Sequence, residues 1–477
     1  MKKRMILVLI FAAAFCPKGI FAQPLYSESN PLRTVTAPAP LPPEIVRTVP
    51  ASQNADYRTG SPLVPVSALQ EVLSSGGPPE FAVPQLPVNT IGYSITELQQ
   101  LALQHNPLLA KKQREIQAAH GVRLQAGLYA NPTLELFGED YYTNGTTGQQ
   151  GFELSQEIIR GNKLQLSRNV ANWEIEIARK DWETAQQKVL NEVRSLSFDL
   201  LATQYLISIY SKLAEIGDLS VKYSEQIVAA KEGPRISLLQ NRVQRNEAII
   251  ELKKAQQDEK NIWDILLAAI GNPNLEKRNI TDTLQQSRMS LNKDTVWQTV
   301  LLNSPEYRAE QIKLSRSRSV YARENAEKTA NVTVRGRYGY DVSASESVGE
   351  FGIAIPLKVH DRNQGNIQRS YAEILAQTRE IERKELELSQ RFAALWNIYE
   401  KSLESIQLYE ESILPDAGES INLSIQGLKQ GEENQLELLI VQQTYFKFLV
   451  SYTETLRDLA RSVTYLEGYL LEGGISQ

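Results

Sequence analysis

Cysteine, histidine and methionine are scarce in this sequence. The 477 residues contain one cysteine, three histidines and three methionines. A single cysteine, Cys16, excludes an internal disulfide framework and a multi-thiolate metal site. The soft donors that a relay of soft-metal sites requires are missing too. His360 has only Asp361 beside it, so we expect neither a bound metal nor a cofactor.

Strong charge imbalance and catalytic motifs are also absent. Lys and Arg number 51 against 56 Asp and Glu, for a net charge of −5, which is too balanced for a nucleic-acid-binding surface. The sequence has no phosphate-binding glycine loop, no G-x-S-x-G motif and no H-E-x-x-H motif. We therefore expect a protein that is not an enzyme.

Long apolar runs are missing beyond the N-terminus. Residues 1–22 have a basic start, an apolar core of about eleven residues and a small residue before Gln23, which predicts a secretory signal peptide. Whether Cys16 carries a lipid stays open. Without another run of about 18 apolar residues a helical membrane span is not expected, but a transmembrane strand needs only about ten residues with one apolar face.

Proline is concentrated near the N-terminus, and the remaining sequence repeats once. Residues 23–90 hold 13 of the 21 prolines, a composition that predicts a disordered linker. Beyond it, an offset of 198 residues places Pro107 opposite Pro305 and Gly233 opposite Gly431. We predict two repeats, 91–285 and 286–477, each with a starting helix, a β-hairpin, a very long helix and a returning helix.

The long helices are predicted from two segments that almost lack proline and glycine. Residues 162–232 contain no proline and one glycine, and residues 366–414 contain neither. Apolar side chains follow two tracks on the first of these helices, one through Val189, Val193 and Leu200, and one through Ile209 and Leu213. Two tracks indicate packing partners on two sides, as in a sheet of coiled coils. Ser94 and Glu97 have the spacing of a capping box at the start of the folded part.

Each repeat is predicted to carry one hairpin, at 131–159 and 331–357. In "NVTVRGRYGYDV", apolar Val332, Val334, Tyr338 and Tyr340 alternate with polar or charged side chains, the period of a two-faced strand. Phe137 departs from this alternation in the first hairpin. We expect Glu153, Glu157, Arg335 and Arg337 on a face that lines water.

A sheet of four strands cannot close on itself, and an open edge within lipid leaves backbone groups unsatisfied. If the apolar face meets lipid, several chains must therefore share one barrel. The alternative is a soluble sheet packed on helices.

Five segments carry a resemblance to a known family. They are "LALQHNPLLAKK" with its internal copy "LLNSPEYRAEQ", "LYANPTLEL", "LSQEIIRGNKLQLSR", "IPLKVHDRNQGNIQRS" and "GEENQLELLIVQQTY". In this order they resemble the outer membrane efflux protein (TolC) family, and the two strand-to-helix corners look most like its heavy-metal and cation branch. The resemblance implies a homotrimer with a twelve-stranded barrel in the outer membrane and an α-helical tunnel through the periplasm. It also implies a periplasmic adaptor and an inner-membrane pump as partners.

The resemblance and the glycines together suggest working residues. Gly161 and Gly365 lie at the corners, where we expect glycine to supply backbone angles that a side chain forbids. Gly233, Pro234, Arg235 and Gly431 match helical tips that would dock the adaptor. Glu432, Glu433 and Glu437, repeated around a threefold axis, could form an acidic constriction that favours cations. They could equally be solvated charges at a helix start, and the first repeat has Leu239 and Gln240 at the matching positions.

The function expected is a passive exit duct of a tripartite efflux or secretion system, for metal cations or small toxic compounds. The alternative is a soluble periplasmic coiled-coil adaptor or scaffold. The transported substrate, the adaptor, the pump and the role of the proline-rich arm are not readable from the sequence.

Overall fold

The computed structural model describes residues 92–139, 148–231, 233–287, 290–430 and 435–473. The predicted signal peptide and the proline-rich linker lie outside these residues, as does Cys16. The boundaries of the two repeats stay predictions.

Helices make up most of the described chain. In order they are α1 (Ile95–His105), α2 (Pro107–Ala126), α3 (Lys163–Ala229), α4 (Arg235–Ile270), α5 (Lys293–Asn303), α6 (Pro305–Ala326), α7 (Gln364–Leu408), α8 (Leu414–Gln430) and α9 (Gln435–Glu467). The strands are β1 (Gly92–Tyr93), β2 (Thr133–Glu139), β3 (Gln149–Ile158), β4 (Asn279–Ile280), β5 (Val332–Asp341) and β6 (Glu346–Ala354). Two short helices, a hairpin, a very long helix and a returning helix thus follow one another twice.

The helix starts follow local sequence signals. Ser94 and Glu97 form the predicted capping box, because each side chain binds the backbone N–H of the other residue. Pro107 and Pro305 are both the first residue of a helix, where proline's fixed backbone angle suits the helix and its missing N–H costs nothing. The repeat therefore preserves the chemistry of the helix start.

The longest helix, α3, has 67 residues and extends about 100 Å at 1.5 Å per residue. Side chains from both predicted apolar tracks lie in the hydrophobic core of the protein: Val193, Leu200 and Ile209 are fully buried. The helix packs on α4 and α9 and, nearer its start, on α2 and α6, so it has partners on several sides. Within the described residues no helix combines the length and the apolarity that a membrane span requires.

The second long helix is divided. Between α7 and α8, Tyr409–Ile413 forms a π-helical segment, in which the N–H of Leu414 binds the carbonyl of Tyr409 five residues back. Pro415 follows at once. Proline has no N–H and its ring collides with the carbonyl four residues before it, so we attribute the local widening to Pro415.

The four longer strands form one antiparallel sheet in the order β2-β3-β5-β6. They lie within the two segments predicted as hairpins, 131–159 and 331–357. The hairpins join through β3 and β5, which pair over ten residues from Gln149 opposite Asp341 to Ile158 opposite Val332. The two halves of the duplication therefore meet in a single sheet, while β1 and β4 form a separate two-residue parallel pair.

Candidate functional site

One face of the four-stranded sheet is apolar and exposed. The register aligns Leu136, Phe152 and Tyr338 on three neighbouring strands, and the Phe152 and Tyr338 ring centres are 5.9 Å apart. Phe351 and Ile353 on β6 continue the face. Leu136 is 80% exposed and Phe351 71%. A continuous apolar surface of this kind marks contact with something other than water.

The opposite face is charged and mainly acidic. The register places the four predicted water-facing residues, Glu153, Glu157, Arg335 and Arg337, on this one face. Two arginines share it with seven carboxylates: Glu135, Glu139, Glu153, Glu157, Asp341, Glu346 and Glu350. An excess of negative charge concentrates cations nearby. That this face lines a lumen stays a prediction.

Phe137 has a specific place on the charged face. The Arg337 guanidinium lies 4.0 Å from the Phe137 ring centre and makes two hydrogen bonds to the Glu139 carboxylate, of 2.9 and 3.1 Å. Gly151 pairs with Phe137 across the strands, and a Cβ on Gly339 would come within 3.1 Å of the Phe137 ring. The irregular side chain thus fills space left by two glycines and stacks on an arginine.

The sheet is open at both sides in the described part of the chain. Its outer strands are β2, of seven residues, and β6, of nine. Each presents one row of backbone N–H and C=O groups that no other described strand pairs. Exposed edges of this length are templates for pairing with another chain.

The two strand-to-helix corners use left-handed backbone differently from the prediction. In the first corner Gly161 has φ +73° and Asn162 φ 59°, so glycine does supply a special angle there. In the second corner Asn363 is the left-handed residue, with φ 63°. Gly365 lies inside the first turn of α7 without a positive φ. The reason given for Gly365 is therefore wrong, since asparagine tolerates this conformation without glycine.

A polar network missed by the sequence reading ties the corners together. The Lys163 ammonium, on a side chain only 8% exposed, lies 3.0 Å from a Glu327 carboxylate oxygen and donates to Asn331 Oδ1 at 2.8 Å. The Asn363 side chain donates to Glu324 Oε2 at 2.8 Å. Glu324 lies in the last turn of α6 and Glu327 directly follows that helix, so this helix end contacts both corners. The sequence signal was an asparagine directly before each long helix.

The residues predicted as the first helical tip lie in the connection between α3 and α4. Lys231, with φ 61°, and Gly233 connect α3 to α4, which starts at Arg235 after Pro234. A Cβ on Gly233 would overlap the Ile227 side chain, so any larger residue there would force Ile227 to move.

The second tip is only partly described. Gly431, Glu432 and Glu433 lie outside the described residues, whereas Glu437 is exposed in the first turn of α9. The acidic constriction and the adaptor-docking tips both stay predictions.

Two partly buried carboxylates lie within the helical part. Asp181 borders a polar cavity of about 320 Å³ whose lining includes Lys112, Lys188 and Glu310, and burial raises the pKa of Asp181. Asp199 has one oxygen without a hydrogen-bond partner among the described atoms, and Arg461 lies 3.6 Å from it. Burial raises the pKa of Asp199, and the arginine opposes that rise.

No grouping of three or more His, Cys, Asp and Glu side chains suited to a metal ion occurs in the described ranges. The surfaces that the structure offers are therefore a two-faced sheet, open edges and helical tips.

Comparison with known proteins finds this architecture in channels. The cobalt-zinc-cadmium resistance protein CzcC of Cupriavidus metallidurans is 24% identical over 370 residues, 78% of this chain and 88% of CzcC. A crystal structure of CusC, studied for transmembrane channel formation, matches with a TM-score of 0.65 at 14% identity, over 83% of this chain and 97% of that one. The open state of the MtrE outer membrane channel of Neisseria gonorrhoeae matches with a TM-score of 0.67 at 14% identity, over 80% and 89%. No family model matches the sequence.

The fold is the one seen in TolC-type outer membrane channels. The resemblance to the outer membrane efflux protein (TolC) family that the five segments indicated is thereby confirmed.

Proposed function

We propose that three copies of this chain form a channel in the outer membrane of a Gram-negative-type bacterium. Twelve strands close a shared barrel in lipid, and the long helices form a tunnel through the periplasm. The assembly is the passive exit duct of a tripartite efflux system, and a periplasmic adaptor and an inner-membrane pump supply its connection and its energy.

The observation that carries the proposal is the combination of an exposed apolar face with two unpaired edges. Alone in water, residues such as Leu136 and Phe351 would expose large apolar surfaces, which is unfavourable by about 25 cal/mol per Å². In lipid the apolar face no longer contacts water, but the backbone N–H and C=O groups at the edges of β2 and β6 still lack hydrogen-bond partners. Pairing β6 of one copy with β2 of the next satisfies both requirements at once.

The charged face would then line the water-filled interior, with Glu153, Glu157, Arg335 and Arg337 towards the passing solute. Its acidic excess favours cations, and CzcC is named for resistance to cobalt, zinc and cadmium. We therefore propose metal cations as the first solutes to test, with small toxic compounds as the second. A duct of this kind needs no catalytic group, and the related proteins are channels rather than enzymes.

The tips are proposed as the contact with partners. Gly233, Pro234 and Arg235 at the described tip, with Gly431 at the other, would dock the adaptor. Glu432, Glu433 and Glu437 would form the acidic constriction. A soluble adaptor or scaffold remains the less favoured candidate, because the similar structures found are channels.

Cysteine cross-linking tests the shared barrel directly. In a Cys16→Ser background the chain has no cysteine, so any disulfide that forms must join the introduced cysteines. Phe351→Cys on β6 would be combined in turn with Leu134→Cys and with Leu136→Cys on β2. We expect at least one pair to give covalent dimers and trimers on oxidation in membranes.

A matched control uses the central strands, where Gln156 and Val334 are register partners on β3 and β5. Cysteines at these two positions should cross-link within one chain and leave its mass unchanged. Edge pairs that never join chains, while the control pair forms, would contradict the shared barrel.

A further inference from the structure

The apolar face of the sheet continues beyond the last paired residue of β6. After Ala354 the chain runs through Ile355, Leu357 and Val359, which are 51%, 84% and 60% exposed. Tyr129, just before the first hairpin, is 69% exposed. The next residue, Ala130, is held beside β3 because its carbonyl accepts a 2.9 Å hydrogen bond from the Gln156 side chain. Apolar side chains and a tyrosine thus surround the end of the sheet that leads into the long helices.

Cations at this end are left without partners, although the carboxylates are not. Among the described residues Arg160, Lys358 and Arg362 make no side-chain hydrogen bond or ion pair. Each nearby carboxylate is engaged within the chain: Glu157 with Asn331, Glu324 with Asn363, Glu327 with Lys163 and Asp361 with the Asn363 backbone. The three cationic side chains are therefore free to bind an anion, although Glu157 and Asp361, which accept hydrogen bonds from neutral groups, keep their own negative charge.

The corner network anchors the chain at or next to two of these cations. The Arg160 backbone N–H donates to Asn331 Oδ1 at 3.3 Å, the same oxygen that Lys163 binds. Asn363, next to Arg362, is held by Glu324 one turn before Glu327. The backbone at Arg160 and the residue next to Arg362 are thus both tied to residues at the end of α6 or just after it, and Lys358 lies four residues before Arg362.

The structure assigns this belt, defined by Arg160, Lys358, Arg362 and the apolar residues Leu357 and Val359, to the headgroups of anionic phospholipids. The inference rests on the proposed function, in which this end of the sheet lies at the periplasmic surface of the membrane. Apolar side chains there enter the acyl region, tyrosine favours the interface, and unpaired arginine and lysine attract phosphate.

The test measures which lipids stay with the purified protein. Detergent-extracted protein is mixed with equal amounts of phosphatidylglycerol and phosphatidylethanolamine, separated by gel filtration and analysed for bound lipid. We expect enrichment of phosphatidylglycerol. Because a Lys or Arg near an anionic surface contributes about 1 kcal/mol, or roughly fivefold in affinity, the triple variant R160Q/K358Q/R362Q should lose at least tenfold.

The control is the triple variant K222Q/K253Q/K260Q, which removes three exposed cations from α3 and α4 that have no ion-pair partner among the described residues. It should retain the enrichment. Salt at about 0.5 M should abolish the enrichment, because it screens exposed charges, whereas about 20 mM inorganic phosphate should not displace the lipid.

Equal retention of the two lipids by the unaltered protein would overturn the inference. So would an enrichment that survives R160Q/K358Q/R362Q, that falls equally in the control, or that free phosphate removes. A protein that leaves membranes without detergent would instead contradict the proposed function, so the two failures are distinguishable.

Discussion

The two halves of the molecule differ most at one equivalent pair of positions. The offset of 198 residues places Gly217 of α3 opposite Pro415 of α8. A Cβ on Gly217 would lie 3.0 Å from the Arg245 backbone, so this glycine lets α3 and α4 approach closely. Pro415 instead follows a π-helical segment. Duplication preserved the order of elements, while single residues made one long helix continuous and the other divided.

The largest expected effect tests whether both halves contribute equally to the core. Leu200 on α3 and Leu388 on α7 are both completely buried. Changing either to alanine should lower the free energy of unfolding by about 3 kcal/mol, from lost transfer energy and the cavity left behind. Denaturant unfolding of L200A and L388A checks this. Leu386, on the same helix as Leu388 but 72% exposed, is the control, and L386A should change stability by less than about 0.5 kcal/mol.

The next largest effect concerns the corners, where the halves use different residues. Glu327→Gln leaves the Lys163 ammonium buried without a charged partner, which should destabilise the fold by about 2 kcal/mol. Glu373→Gln on α7 removes an exposed carboxylate 3.7 Å from Arg369 and should have little effect. Thermal unfolding of both variants decides the matter. Equal stability of E327Q and E373Q would show that the corner network contributes nothing.

Alanine substitutions at the equivalent positions Gly217 and Pro415 should change stability in opposite directions or leave only the second unchanged. Gly217→Ala forces a methyl group against α4 and should destabilise by about 1 kcal/mol or more. Pro415→Ala removes the cause of the π-helical segment and restores a backbone donor, so it should leave stability equal or higher. Melting temperatures of the two variants measure the difference. If P415A is the less stable one, the divided helix has another cause.

The smallest effect is a pH dependence carried by Asp199. Because burial raises its pKa in the folded state, this group contributes stability when protonated and loses it as the pH rises through that raised pKa. Asp199→Asn should therefore be slightly more stable than the unaltered protein at pH 8. The advantage should disappear towards pH 4, near the ordinary pKa of aspartate. A variant that is less stable at pH 8 would show that the Arg461 contact outweighs burial.

The sequence predicted what depends on short-range pattern. Alternating side chains predicted the hairpins and the faces of Glu153 and Arg337, and the lack of proline predicted α3. It could not predict contacts that depend on neighbouring strands or distant elements. Phe137 needs Gly151 and Gly339 from other strands, and Lys163 needs the end of α6. Gly365 was misjudged because an asparagine two residues earlier takes the left-handed angle.

The central claim is that the sheet is one part of a barrel shared by several chains. The most direct measurement is the mass of the protein extracted by detergent from an outer-membrane fraction, by light scattering with the detergent contribution subtracted. We expect a particle with the mass of about three mature chains. A monomer or dimer released without detergent would contradict it, because the apolar face of β2, β3, β5 and β6 would then never have met lipid.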